Sequence, residues 1–346
     1  MKARLQTFQN HLHHDAAIVE DPTDLLYLTG LTLSLGSLVV MKDDVALFVD
    51  GRYFAIAERK APCAVRLSKS AASSSDPIYE WLQGRGARSL AFDSMVTSYE
   101  RFEALGQSLP GIQLFAEKAL LRAQRAVKDG AEIVCLKKAQ SLTLKGFHHV
   151  EGKLKEGVSE EEMAFEFETF VRKHGASGLS FPSIVAFGEN SAYPHHRAGA
   201  SKLQKNQIVL IDVGAIVDAY RGDMTRVVFF GESDPQLKKW LEWTKLAQKK
   251  AMEAVRPGVS VKELDLIARK VLAEQGVEEK FTHGLGHGIG LETHEFPSLK
   301  ALGVDRDVKL AAGMVVTIEP GLYQPGVGGV RWEDMILVTE NSYEKF

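Results

Sequence analysis

At 346 residues the chain exceeds the roughly 100–200 residues of a usual single domain, so two units with separate cores are expected. Its 45% hydrophobic and 25% charged residues exclude a disordered or collagen-like chain, and 42 basic against 45 acidic residues, a formal net charge of −3, exclude the basic footprint of a nucleic-acid or anionic-lipid binder. Two cysteines, Cys63 and Cys135, without CxxC spacing exclude a disulfide framework and a thiolate metal site. The opening MKARLQTFQNHLHHDA lacks the apolar stretch of a signal peptide. The most apolar region, 25–40, is interrupted by Gly30 and Gly36, so no membrane span and a cytoplasmic location are expected.

From residue 15 to about 120, short β-type runs alternate with helical patterns. AAIVED, TDLLYLTG, SLVVMK, VALFVD and RYFAIAERK come first, then DPIYEWLQGRG, SLAFDS, TSYERFEALGQSL and IQLFAE. This reads as an α/β unit over 1–125. A charged stretch around 121–129 precedes a long helical pattern at 131–154, which opens a second unit, 126–346. Ser159 and Glu162 stand at capping-box spacing and predict a helix over 159–174. Strand composition follows at 184–187, 207–217 and 224–230, helical patterns at 235–255 and 261–275, and strands again at 314–319 and 332–338. The order helix, helix, strands occurs twice and predicts an α+β domain whose sheet is backed by helices.

Five potential ligands stand in strand-end or glycine-rich contexts: Asp212 in VLIDVGA, Asp223 in YRGDMTR, His287 in THGLGHGIG, Glu319 in VVTIEPG and Glu333 in GGVRWEDM. Taken singly, such residues are more often caps, turns or surface groups. Asp212, however, lies in so apolar a run that an ionised side chain needs a compensating partner. The segment between Asp212 and Asp223 is short enough for a hairpin that brings both carboxylates to one face. Four carboxylates carry about four negative charges, which two divalent ions balance and one does not. Oxygen ligands, one imidazole and no thiolate suit Mn²⁺ or Co²⁺, with Zn²⁺ and Fe²⁺ also compatible.

The segments IDVGA, YRGDMTR, THGLGHGIGLETHEFP, VVTIEPGLY and GGVRWEDMILVTE resemble, in order, those of the pita-bread metallopeptidases, which include prolidase, aminopeptidase P and methionine aminopeptidase. TGL followed by VDGRY resembles the creatinase-type N-terminal domain of the same family. The resemblance implies a curved antiparallel sheet backed by helices, preceded by a smaller α/β domain. It implies a dinuclear exopeptidase that cleaves before proline, an Xaa-Pro dipeptidase or aminopeptidase acting on proline-containing peptides, with a metal-bridging hydroxide as nucleophile. Asp212 would bind one ion, His287 and Glu319 the other, and Asp223 and Glu333 both. Glu319 would carry the proton, His195 would hydrogen-bond the substrate near the scissile carbonyl, His294 would stabilise the tetrahedral intermediate, and Tyr323 would line the pocket. Arg331, two residues before Glu333 and so expected on the same strand face, would support the metal-binding carboxylates or contact substrate. A homodimer is implied as well. His196 has no counterpart in the pattern and reads as a pocket or surface residue.

Ala219 and Gly222 depart from the family pattern, which often has Gly and Ser there, so a turn and a supporting hydroxyl are in question. A methionine aminopeptidase usually lacks the first domain. A non-enzymatic binding module on this fold typically lacks ligands that are all present here.

Overall fold

The computed structural model describes residues 1–68, 76–232 and 234–346. Short runs rich in Ala, Val, Leu and Ile build a mixed six-stranded sheet in the order Ala64–Leu67, Val45–Val49, Ser37–Met41, Ala16–Val19, Ser89–Asp93, Gln113–Glu117. Ala16–Val19 pairs antiparallel on one side and parallel on the other, and all four of its residues are buried. A strand covered on both faces has no use for polar alternation, which is why AAIV is continuous. Helices Pro22–Thr29, Gly51–Lys60, Pro77–Gln83 and Tyr99–Ser108 start where Asp21, Asp50, Asp76 and Ser98 accept from backbone N–H groups. Ile18, Phe48, Trp81, Leu90 and Phe92 form the core between them. This unit is Met1–Arg125, and the second is Ala126–Phe346.

The second unit opens with helices Gly130–Glu151 and Glu160–Lys173, each started by a reciprocal capping box, Asp129 with Glu132 and Ser159 with Glu162. They approach closely at Gly146, where a Cβ would lie 2.6 Å from the Phe167 ring. An antiparallel sheet follows, Ile184–Phe187, Gln207–Val213 and Met224–Phe230, with Gln207–Val213 central. Val209, Ile211 and Val213 face the helix pair, while Ile208 and Leu210 enter a larger core with Trp240, Leu322 and Val330. Burial on both faces again accounts for the unbroken apolar run. That larger core also joins helices Pro235–Glu253 and Val261–Ala273 to a five-stranded antiparallel sheet, Glu295–Leu299, Gly286–Gly288, Val315–Ile318, Asp334–Val338, Tyr343–Lys345. Gly321–Gln324 and Gly328–Arg331 form a separate ribbon.

Two expected strands are shorter than the sequence suggests. The run 207–217 breaks at Gly214, a position so crowded that a Cβ there would collide with the Gly222 carbonyl and lie 2.8 Å from Ser180 Cβ. Ala215–Val217 then pairs with Tyr220–Arg221 and Gly178–Leu179 instead. The run 332–338 is strand only from Asp334. Arg331 and Glu333 therefore do not share one strand, contrary to the expectation. Among the described residues no helix is long and apolar enough to cross a membrane.

Candidate functional site

Strands Gln207–Val213 and Met224–Phe230 pair with Asp212 opposite Thr225 and Val213 opposite Met224, so Asp223 lies one residue beyond the last pair, beside Asp212. The connection turns at Asp218 and Ala219, whose φ values of 51° and 71° are the pair of positive angles a two-residue hairpin turn needs. Ala219 adopts this left-handed conformation without the freedom of glycine. At Gly222 a Cβ would lie 2.5 Å from Thr143 Oγ1 and 2.9 Å from the Ala139 carbonyl, so the helix leaves no room for the serine common in the family pattern. Thr143 supplies a hydroxyl of its own, accepting from Ala215 N at 3.0 Å. Gln140, one helix turn away, accepts from Asp223 N at 3.0 Å.

The other ligand candidates come from three separate segments. His287 sits in the short strand Gly286–Gly288, and its Nδ1–H donates to the Gly288 carbonyl at 3.0 Å. That leaves Nε2 with its lone pair aimed at Glu319 Oε1, 3.4 Å away, and Asp223 Oδ2, 3.7 Å away. Glu319 follows Val315–Ile318 and is held by Thr317 Oγ1 at 3.4 Å. Glu333 accepts from Thr225 Oγ1 at 2.7 Å, and the same hydroxyl accepts from Arg331 Nε at 2.9 Å. Arg331 Nη2 donates to Asp212 Oδ2 at 2.6 Å and Nη1 to Tyr323 OH at 2.8 Å. One buried guanidinium thus braces Asp212 directly and Glu333 through Thr225. Asp223, His287 and Glu333 each bring one ligand atom within 4.8 Å of the others, a spacing compatible with a shared divalent ion.

Charge in this pocket is lopsided. Burial pushes the Asp223 carboxyl well above its ordinary range, and the charges of Glu333, Asp212 and Glu319 push it further. Burial does the same to Glu333, with Glu319 and Asp212 adding to it. Glu319 is pushed up to about 8 by burial, although Arg331 opposes this. Asp212 is also raised by burial, against the pull of Arg331. His287 goes the other way, to about 3, through burial and then the charge of His294. A neutral imidazole among carboxylates that resist ionising is an arrangement that cations relieve. One oxygen, Asp212 Oδ1, is buried with no hydrogen-bond partner among the described residues.

His294 stands just outside the ligands, its ring 4.2 Å from that of His287 at 51°. Its loop is tied back by Thr293 Oγ1, which donates to the Ser180 carbonyl at 2.8 Å, and by Arg221 Nε, which donates to the Leu291 carbonyl at 2.9 Å. His195 is exposed, near enough for its charge to act on Asp212 and His294. His196 is half-buried and its Nε2 bonds Glu160 Oε2 at 2.8 Å, so it belongs to a structural cluster rather than to the pocket. Sequence reasoning missed Thr225, Thr317 and His283. His283 bonds Tyr323 OH at 2.9 Å, and burial, then Arg331, lowers it to about 3. Its signal was the first histidine of THGLGH, four residues before His287.

Comparison with known proteins places these features in context. The model of metallopeptidase family M24 matches residues 134–340, and that of the creatinase/prolidase N-terminal domain matches residues 2–127. The chain is 33% identical over 332 residues to an Xaa-Pro dipeptidase of Pyrococcus horikoshii, covering 96% of this chain and 92% of that one. The solved structure of an Xaa-Pro dipeptidase from Bacillus anthracis is similar with a TM-score of 0.93 at 31% identity, covering 99% of this chain and 95% of that one. That of an X-Pro aminopeptidase from Thermotoga maritima MSB8 has a TM-score of 0.90 at 29% identity, covering 98% and 97%.

Proposed function

Because the chain belongs to metallopeptidase family M24 and carries a creatinase/prolidase N-terminal domain, we propose that it hydrolyses the peptide bond between an N-terminal residue and a following proline. Asp212, Asp223, His287, Glu319 and Glu333 would hold two divalent ions, Mn²⁺ or Co²⁺ by the hardness of the donor set. The observation that carries this is the buried Asp212 Oδ1, which has no hydrogen-bond partner among the described residues although it lies beside carboxylates raised by burial and mutual repulsion. A cation satisfies both the orphaned oxygen and the excess charge. When bound, the ions lower the pKa of water and polarise the scissile carbonyl.

The remaining groups act around that centre. Glu319, whose side chain is 17% exposed at the edge of the cluster, moves a proton to the proline nitrogen, which leaves only once protonated. His294 and His195 donate toward the scissile carbonyl as negative charge develops on its oxygen. Tyr323, pushed up to about 12 by burial, stays protonated, and Arg331 stays charged, so the pair keeps bracing Asp212 and the pocket wall. The protein works as a cytoplasmic homodimer, which light scattering at micromolar concentration checks.

The test is metal analysis combined with hydrolysis of Ala-Pro against Ala-Ala. Two ions per chain and cleavage confined to the proline peptide are expected. Fewer than one ion per chain, or equal cleavage of both peptides, overturns the reading.

A further inference from the structure

The helix Pro235–Glu253 buries Leu237, Leu241, Thr244, Gln248 and Ala251, spaced alternately four and three residues apart along one stripe. Gln248 is 6% exposed and stands where that period calls for an apolar side chain. A primary amide in such a place is unfavourable unless its N–H groups find acceptors. Here three acceptors surround Nε2: the Ile318 carbonyl at 3.0 Å, the Trp332 carbonyl at 3.3 Å and Asp334 Oδ2 at 3.0 Å. Three acceptors around one atom also fix which end of the amide is the nitrogen.

All three acceptors lie where two ligand strands part. Ile318 and Asp334 are the end pair of the ladder between Val315–Ile318 and Asp334–Val338, and Glu319 and Glu333 each lie one residue beyond it. The Ile318 carbonyl belongs to the peptide plane that leads into Glu319, and the Trp332 carbonyl to the plane that leads into Glu333. The N–H sides of these planes are held from elsewhere, Glu319 N by the Leu285 carbonyl at 2.8 Å and Glu333 N by the Thr225 carbonyl at 3.3 Å. Between the two arms themselves, Trp332 N donates to the Pro320 carbonyl at 3.3 Å, and Gln248 supplies a second tie. Asp334 anchors that tie without needing a cation, because Arg226 Nη2 at 2.6 Å and Lys345 Nζ at 2.8 Å meet its charge.

A divalent ion accepts its ligands only within about 0.2 Å of a preferred distance, so two carboxylates on separate arms serve one ion only if the arms are held at one separation. We propose that Gln248 is a positioning residue for the metal centre. It touches no ligand side chain; it holds the peptide planes before Glu319 and Glu333, so that both carboxylates converge on the ion they would share with His287. This rests on the two-ion reading given above.

The test is calorimetric titration of chelator-treated protein with Mn²⁺, in the wild type, Gln248→Met, Gln248→Asn and Met252→Ala. Gln248→Met keeps the length of the side chain and removes its donors, while Gln248→Asn withdraws the amide by one methylene. Each is expected to weaken one of the two ions by roughly 10- to 100-fold, as loss of a group that orients a ligand does, and the other ion less. Met252, buried in the core one turn further along the same helix, is the packing control. Met252→Ala should lower stability and leave both affinities as they are. The rise in Tm on adding Mn²⁺ gives a second reading on the same proteins, smaller in the Gln248 variants and unchanged in Met252→Ala. Wild-type affinity for both ions in Gln248→Met, or in Gln248→Asn should the first not fold, overturns the role of Gln248 and leaves the metal centre standing. An equal loss of affinity in Met252→Ala does the same, since helix packing would then be the cause. A wild type that binds fewer than one ion per chain overturns both readings.

Discussion

Two groups of buried carboxylates in the second unit answer the same problem in opposite ways. Glu160, fully buried, accepts from Phe187 N at 2.9 Å, Asn190 Nδ2 at 2.8 Å, His196 Nε2 at 2.8 Å and Gly199 N at 3.2 Å. Its charge is met entirely by the protein. In the pocket, Asp212 has one oxygen bonded to Arg331 and one with no partner among the described residues, and Glu319 has a long hydrogen bond of 3.4 Å from Thr317 besides the His287 ring. Burial alone therefore does not mark a ligand. What distinguishes the two groups is whether the fold supplies donors to match the charge, since an ionised carboxylate without them is unfavourable by several kcal/mol.

If that contrast is right, changing charge in the two places has different consequences. The largest effect should come from Asp223→Asn or Glu333→Gln, which remove a charge proposed to face both ions. Activity should fall by more than the roughly 10- to 100-fold typical of losing a supporting partner, and bound metal should fall with it. Near-normal turnover with two ions bound would contradict the ligand assignment. Next, His294→Ala should lower kcat by about 100-fold with metal content intact, because a donor to developing charge is lost and no ligand is. His287→Ala should lose metal first and recover partly when metal is added. Like behaviour of the two variants would erase the distinction between ligand and donor.

Glu160→Gln probes the other side of the comparison. It leaves two backbone N–H groups, the Asn190 amide and His196 facing a neutral and partly mismatched group, so stability should fall by about 1–3 kcal/mol in a denaturant titration. The metal stoichiometry and the KM of the folded fraction should not change. Loss of metal would mean that Glu160 belongs functionally to the site.

The smallest effect is on pH dependence. Carboxyls raised in the folded state bind protons that the unfolded chain has released, so their contribution to stability is present at low pH and lost as pH rises through the folded value. Glu319 is raised to about 8, and Asp223 and Glu333 are raised well above the ordinary value. His287 and His283, lowered to about 3, are neutral above pH 6.5 in the folded and increasingly in the unfolded state, so they contribute little there. Between pH 6.5 and 8 the Tm of chelator-treated protein should therefore fall by roughly 5 °C. Adding Mn²⁺ should reverse the trend. A flat profile without metal would show that the carboxylates are stabilised by something other than cations.

Much of this pocket could be read from the chain because its ligands announce themselves locally. Asp212 stands inside VLIDV and Glu319 behind VVTI, where a charge has no local reason to be. The hairpin carrying Asp212 and Asp223 is set by a short connection and one register. The supporting groups were not legible in this way. Thr225, Thr317 and Gln140 are ordinary residues whose roles arise only when distant segments meet, and Gly286–Gly288, Gly321–Gln324 and Gly328–Arg331 are too short and glycine-rich for hydrophobic period to reveal as strands. His196 shows the reverse case, a histidine in a promising segment that the fold assigns to Glu160.

By itself, then, the amino-acid sequence determined the alternation of the first unit, the capped helix pairs of the second and the identity of the residues able to ligate, because periodicity, capping and charge in an apolar run are local properties. Tertiary structure alone decided which carboxylates would be left short of donors, which histidine would keep Nε2 free, and that Arg331 would reach Asp212 directly and Glu333 only through Thr225. Those depend on which partners arrive from elsewhere in the chain. Hydrogen-bond satisfaction in a buried site is a property of the assembled pocket and of no single segment.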